Sequence, residues 1–264
     1  MTPIYLINLA RRSDRLADMT ARLHAEGLDF IRVDAADART ADPAWLAGQF
    51  APPGRFGPLS SSEQACALSH FRAYEQFAAS AGDASHAVIL EDDVRLAEGA
   101  GRRLGSLDWL PASTRLLKIE VERPRVLLGP PRSVGRDARI ARLFSDHTCA
   151  AGYIISRSTA AALAAMQPKP TLMIDFLLFS AVHSPMFSRL RPDQLVPALV
   201  EQTRLGGTDS DIEPDRAALT QARMRPGAGA KLRREAVRLR NQARQLAPLD
   251  FGGARWTPVS FGQG

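Results

Sequence analysis

Short runs of apolar residues recur along the chain, each closed by polar or turn-forming residues. Ile4-Tyr5-Leu6-Ile7-Asn8-Leu9 is the first, with the β-branched content of a buried strand. Ser13 then offers a helix cap, with Asp14 in the first turn. Leu16, Met19 and Leu23 recur at helical spacing, and Gly27 suits the residue just past the helix end. Phe30-Ile31-Arg32-Val33 reads as a second strand, so the opening segment predicts a parallel strand–helix–strand unit. Residues 42–58 hold four prolines and three glycines and read mostly as loop. Ser60-Ser61-Ser62-Glu63 has the spacing of a capping box and opens a helix expected to run to about Ala79.

Further strands are expected at Ala87-Val88-Ile89-Leu90, Leu116-Leu117-Lys118-Ile119 and Gly152-Tyr153-Ile154-Ile155, with a short last one at Pro197–Glu201. Ser156 or Ser158 can cap an alanine-rich helix that ends before Pro168, and Met173–Val182 reads as helical. Strands alternating with helices predict an α/β layer with a mainly parallel sheet.

The chain has 264 residues, enough to bury a sizeable core, and no apolar run reaches the length of a membrane span. Met1-Thr2-Pro3-Ile4, followed by Arg11 and Arg12, does not read as a secretory signal, so a cytoplasmic protein is expected. Charge alters this picture in one place. Residues 215–244 carry nine basic and two acidic side chains, a balance of +7 that leaves the rest of the chain at −1. The sequence therefore divides into a body, 1–214, and a basic C-terminal segment, 215–264, expected to be helical. Over 215–246 such a helix can lie on an anionic membrane surface; the other reading is a solvated helix or tail. No aromatic residue occurs between Phe187 and Phe251, and nucleic acid is not an expected partner. The cysteines, Cys66 and Cys149, read as buried thiols. Cys66 and His70 stand four apart, yet two ligands do not make a metal site.

Glu91-Asp92-Asp93 carries the most chemical information. An apolar strand leads directly into three carboxylates, whose mutual repulsion and desolvation call for a cation or donors. In an extended chain Glu91 and Asp93 face the same way and can share one hard divalent ion, Mg²⁺ or Mn²⁺. Ligands of open α/β sheets sit beyond the carboxyl ends of strands. A solvated turn of helix-capping acids is the competing reading. No glycine-rich dinucleotide or P-loop motif, no nucleophile elbow and no H-E-x-x-H is present.

Three ordered blocks, Ile7-Asn8-Leu9-Ala10-Arg11-Arg12-Ser13-Asp14-Arg15, Leu59 to His70, and Val88-Ile89-Leu90-Glu91-Asp92-Asp93-Val94, resemble glycosyltransferase family 25 over roughly residues 3–205. That family contains lipooligosaccharide and collagen galactosyltransferases. Gly152–Ser156 and Ile174-Asp175 resemble its later blocks, whereas Ser62 stands where the family usually has glycine. The resemblance implies a GT-A-like, Rossmann-type nucleotide-sugar-binding fold, a UDP-sugar donor (UDP-galactose by family), and an inverting transfer to a hydroxyl of a bacterial surface glycan. The basic segment, not the resemblance, motivates a place at the inner face of the cytoplasmic membrane, where lipid-linked acceptors are presented. By that comparison Asp93 is the metal ligand, Glu91 touches metal or donor ribose, and Asp92 belongs to the donor site. Asn8 and Leu9 would offer backbone groups to the uracil, and Arg15 would pair with phosphate or with an acid such as Asp34. His70 is either a donor-site contact or a satisfied structural histidine, and Glu63 a cap or a donor contact. Asp175 is the preferred base and Glu120 its rival, although Lys118 beside Glu120 could make an ordinary ion pair. A catalytically inactive member that binds a glycan or partner is the alternative function.

Overall fold

A computed structural model describes residues 2–54, 57–122, 125–203 and 253–262. The expected basic helix lies outside these residues, as does the boundary at 214/215. The described part of the C-terminal segment is a strand, not a helix.

The opening unit forms as the pattern predicts: β1 (Ile4–Asn8), α1 (Ser13–Ala25) and β2 (Ile31–Asp34), with β1 and β2 parallel. Arg12, not Ser13, occupies the N-cap position of α1, without a side-chain cap bond. At the other end Gly27, at φ 69°, lets its own N–H reach the carbonyl of His24 while that of Leu28 reaches Leu23. These are the paired bonds of a Schellman cap. The stretch read as loop contains a short helix, α2 (Pro43–Gly48), because the Asp42 carboxylate accepts from Trp45 N–H and Pro43 is preset for a first turn. The capping box is complete: Ser60 Oγ accepts from Glu63 N–H, Glu63 Oε2 accepts from Ser60 N–H, and α3 runs from Ser61 to Ala79.

After α3 come β3 (His86–Glu91), β4 (Val94–Leu96), α4 (Ala100–Leu104), β5 (Leu116–Lys118) and β6 (Glu120–Val121). Next are β7 (Arg125–Leu128), β8 (Arg132–Ser133), β9 (Arg139–Arg142), β10 (Gly152–Ser156) and α5 (Arg157–Ala164), the last capped by Ser156. The chain continues through α6 (Ile174–Phe179), α7 (Phe187–Leu190), β11 (Asp193–Val196), β12 (Val200–Gln202) and β13 (Arg255–Pro258). The main sheet has the order β2-β1-β3-β10-β5-β11-β9-β8, while β4-β12-β6 and β13-β7 form two small sheets.

The expectation of a mainly parallel sheet is corrected. Three neighbouring pairs of the main sheet are parallel and four are antiparallel. The sheet is mixed because β10 inserts backwards between β3 and β5. A fully buried apolar strand reads the same in either direction, so Gly152-Tyr153-Ile154-Ile155 carries no mark of its orientation.

Alternation along the central strands divides the core into two layers. Tyr5, Ile7, Ala87, Ile89, Tyr153 and Ile155 pack on one face with α3, α5 and α6. Ile4, Leu6, Val88, Leu90 and Ile154 pack on the other with Met19 and Leu23 of α1 and Leu104 of α4. Both sheet faces are thus covered, which explains why the strands read as continuous apolar runs. Strands β1, β3 and β5 run the same way, so their carboxyl ends meet at one edge, where the incoming end of β10 and the small sheet β4-β12-β6 also lie.

Gly152 marks how closely these parts approach. A Cβ there would lie 2.8 Å from Val200 Cγ1 and 3.0 Å from its Cβ. Gly152→Ala is expected to destabilise the protein by about 1–3 kcal/mol, the usual cost of overpacking, read as a lower midpoint in urea. An unchanged midpoint would show that β12 yields freely.

Candidate functional site

The carboxyl end of β3 delivers Glu91, and the chain then turns through Asp92-Asp93 into β4. The acids are therefore not on one extended strand. A turn, held by Thr203 N–H and Oγ1 donating to the Asp93 carbonyl, keeps Glu91 and Asp93 within electrostatic reach of each other.

Asp92 is claimed from the α1 side. Asn8 Nδ2 donates to its Oδ2 at 2.7 Å and Arg15 Nη1 to its Oδ1 at 3.1 Å. Arg15 Nη1 also lies 3.9 Å from Asp93 Oδ2. Arg15 is expected to meet phosphate or an acid such as Asp34; Asp34 is held by Arg32, and the acid that Arg15 meets is Asp92, presented by the turn after β3. Asn8 enters the site through its side chain. Its carbonyl accepts from Ala35 N–H, and that of Leu9 accepts from Arg12 N–H. Glu63 is buried and serves the capping box.

Glu91 Oε1 lies 3.0 Å from His70 Nε2, and Gln202 Nε2 reaches its Oε2 at 3.4 Å. Burial, then the charges of Glu120, Asp92 and Asp175, push the Glu91 carboxyl up to about 8 against the opposing Lys118. Asp93 is pushed up to about 7 by burial and the Glu91 charge, with Arg15 opposing. His70 is fully buried, and that burial lowers it to about 4, so the imidazole is neutral near pH 7. Its Nδ1 lies 2.8 Å from Tyr153 Oη, which in turn lies 2.6 Å from Tyr74 Oη.

At the end of β5, Lys118 and Glu120 are both wholly buried. Lys118 Nζ donates to Glu120 Oε2 at 2.9 Å and to the Cys149 carbonyl at 2.7 Å, and it lies 4.7 Å from the centre of the Phe179 ring. Ala151 N–H also donates to Glu120 Oε2. Burial raises the Glu120 carboxyl despite Lys118. Asp175, in the first turn of α6, is only half-buried. Its Oδ1 accepts from Phe176 N–H and its Oδ2 from Cys149 N–H. Cys149 has φ 64°, a left-handed conformation that is uncommon outside glycine. One strained residue thus steers both Asp175 and Lys118, a form of backbone strain that clusters at functional sites.

Among the described residues, two carboxylate oxygens, Asp93 Oδ1 and Glu120 Oε1, are buried without a hydrogen-bond partner. Buried polar atoms are usually partnered, and each acid of this cluster raises another, so the two oxygens are open to a proton, a water or a cation. The donor set is carboxylate oxygen, which suits a hard divalent ion and fits the expected Mn²⁺ or Mg²⁺. Sequence reasoning missed Gln202, Cys149 and the tyrosine pair. Gln202, Cys149 and Tyr153 carry no local signal, because each joins the site from a distant element; Tyr74 stands one helical turn after His70 on α3, a spacing that marks a shared face but not a role.

The fold and site define an α/β protein with an acidic centre at the carboxyl ends of its strands. A family model, glycosyltransferase family 25 (LPS biosynthesis protein), matches residues 1–178, and the chain belongs to that family. The match includes every predicted site residue; Gln202 lies beyond it. The chain is similar to the lacto-N-neotetraose biosynthesis glycosyltransferase LgtB of Neisseria gonorrhoeae, at 29% identity over 185 residues, 66% of each chain. It is similar to the lipooligosaccharide biosynthesis protein lic2B of Haemophilus influenzae, at 25% identity over 186 residues, 67% of this chain and 69% of that one. Over 111 residues, 39% of this chain and 18% of the other, it is 34% identical to the inactive glycosyltransferase 25 family member 3 of Mus musculus. The matched segment spans just under two thirds of the length of LgtB, at 66%. Among the described residues no helix is long and apolar enough to cross a membrane.

Proposed function

We propose that the protein is an active, inverting glycosyltransferase that moves a sugar, galactose by family resemblance, from a UDP-sugar to a hydroxyl of a bacterial surface glycan such as lipooligosaccharide. The names of its bacterial relatives support the glycan class. The observation that carries the reading is Asp93 Oδ1, buried and unpartnered beside Glu91. Asp93 and Glu91 would hold Mn²⁺ or Mg²⁺, which when bound neutralises charge on the departing diphosphate.

The protein's own groups complete the site. Asn8 and Arg15 hold Asp92, which keeps the turn rigid and leaves Asp93 as the forward carboxylate. Arg15 adds positive charge on the phosphate side, and Asn8 and Leu9 mark the edge of β1 toward which the uracil would lie. His70, neutral and anchored by Tyr153, orients Glu91. Asp175 is the base that takes the acceptor proton: it is half-buried, and two backbone N–H groups fix its direction. Glu120 is sealed from solvent and bound to Lys118, so it supports the site from behind. The basic segment 215–246 would bring the enzyme to anionic lipid bearing the acceptor.

The test is UDP release from UDP-sugars with Mn²⁺ and lipooligosaccharide-type acceptors. Turnover should vanish with a chelator and return with added Mn²⁺. The likeness to an inactive mouse relative motivates the other reading, a glycan- or partner-binding protein. Acceptor binding in calorimetry, without UDP or Mn²⁺ binding or any UDP release, would replace the transferase reading with that one.

A further inference from the structure

The side chains of Cys66, His70 and Glu91 converge. One ligand atom from each lies within 4.8 Å of the other two. Cys66 and His70 stand one helical turn apart on α3, so they share a face, and the end of β3 adds the third group. Around zinc, thiolate sulfur sits about 2.3 Å from the ion, and imidazole nitrogen and carboxylate oxygen about 2.0–2.2 Å. Tetrahedral donors at those radii are separated by roughly 3.3–3.8 Å. The observed cluster therefore closes on an ion with small side-chain movements.

We propose that Cys66, His70 and Glu91 form a soft-metal site that takes Zn²⁺, distinct in its donors from the all-oxygen site of Asp93 and sharing only Glu91 with it. Sulfur and imidazole select zinc over Mg²⁺ and Mn²⁺. The surroundings suit such a site. His70 Nδ1 is bonded to Tyr153 Oη, which is backed by Tyr74, the kind of outer partner that fixes the orientation of a metal-bound histidine. Cys66 is only half-buried, and neither it nor Cys149 is in a disulfide. Binding releases the Cys66 thiol proton to solvent, takes Glu91 as the carboxylate and takes His70 as the neutral imidazole through Nε2, with its one ring proton on Nδ1 toward Tyr153 Oη, and leaves one zinc position for water. The consequence is inhibition: zinc takes Glu91 away from the donor-site ion. That consequence rests on the transferase reading; the binding does not.

Cobalt(II) distinguishes the two sites, because only thiolate ligation gives a near-ultraviolet sulfur-to-cobalt absorption. Titrating the full chain with Co²⁺ is expected to give this band at one equivalent, and added Zn²⁺ should abolish it. Cys149→Ser should retain the band and Cys66→Ser should lose it. In calorimetry Cys66→Ser should also weaken Zn²⁺ binding by more than the roughly 10–100-fold typical of removing an outer partner. Absence of the band in the wild type, or its persistence in Cys66→Ser, overturns the site. In Mn²⁺-supported assays the wild type should be inhibited by Zn²⁺ and Cys66→Ser resistant; equal sensitivity of the two overturns the inhibitory role. A protein with no turnover at all would sink the transferase reading while leaving the cobalt result to stand alone.

Discussion

Asp93→Asn is expected to lower metal-dependent turnover by about 10²–10³-fold or more, since Lewis-acid stabilisation of a leaving diphosphate contributes several kcal/mol. The same substitution should stabilise the metal-free protein above neutral pH. In the folded chain Asp93 rises from 3.8 to about 7 and Glu91 from 4.5 to about 8. A carboxyl raised on folding binds a proton that the unfolded chain releases. Its favourable contribution is present at low pH and is lost as pH climbs from near 4 through about 7–8. The wild-type apoprotein should therefore lose stability across that window. The asparagine amide never ionises and relieves Glu91 of its neighbour's charge, so the decline should flatten. Thermal melts of both proteins from pH 5 to 9, with and without Mn²⁺, read the effect. Mn²⁺ should raise the wild-type melting temperature at pH 8 and leave the variant unmoved. Full turnover in Asp93→Asn would remove the residue from the metal site.

Asp175→Asn is expected to lower kcat by about 10²–10⁴-fold, the usual contribution of a general base, with little change in donor KM. The Cys149 and Phe176 N–H groups donate to different carboxylate oxygens, so the amide oxygen keeps one of these bonds and the other N–H turns to water; the position is only half-buried, so the fold should hold. Glu120→Gln should behave in the opposite way. It leaves Lys118 buried without its counter-charge, and breaking a buried pair costs about 3–5 kcal/mol. The loss should appear first as a lower midpoint in urea. If Glu120→Gln instead kept its stability and lost kcat, while Asp175→Asn kept both, the base would be Glu120.

The two variants divide along the line between what was legible and what was not. Both acids stand out in the sequence, each beside an apolar stretch. Only the folded chain separates them, because Glu120 is wholly buried against Lys118 and Ala151, and Lys118 is in turn held by the Cys149 carbonyl, so the segment 149–151, about 30 residues on, closes the pair. Arg15 shows the same limit. Its place on α1 points it toward the sheet edge, but its partner Asp92 is 77 residues away, and the turn after β3 decided the pairing. Cys66 and His70 lacked a third ligand in sequence, and Glu91 supplies it through space.

By itself the sequence determined the local devices: the β1–α1–β2 unit, the Gly27 helix end, the capping box of Ser60 and Glu63, and an acidic run at the end of a buried strand. The caps and the acidic run depend on contacts within four or five residues, where backbone geometry leaves few choices; the β1–α1–β2 unit pairs residues 26 apart, and the short strand–helix–strand order leaves it one simple way to close. Tertiary structure decided the reversed direction of β10, the partners of Arg15 and Glu91, and the burial that raises Asp93 and Glu91 and lowers His70. Charge and desolvation act through space, and distance along the chain does not measure how closely two side chains come once both faces of the sheet are covered.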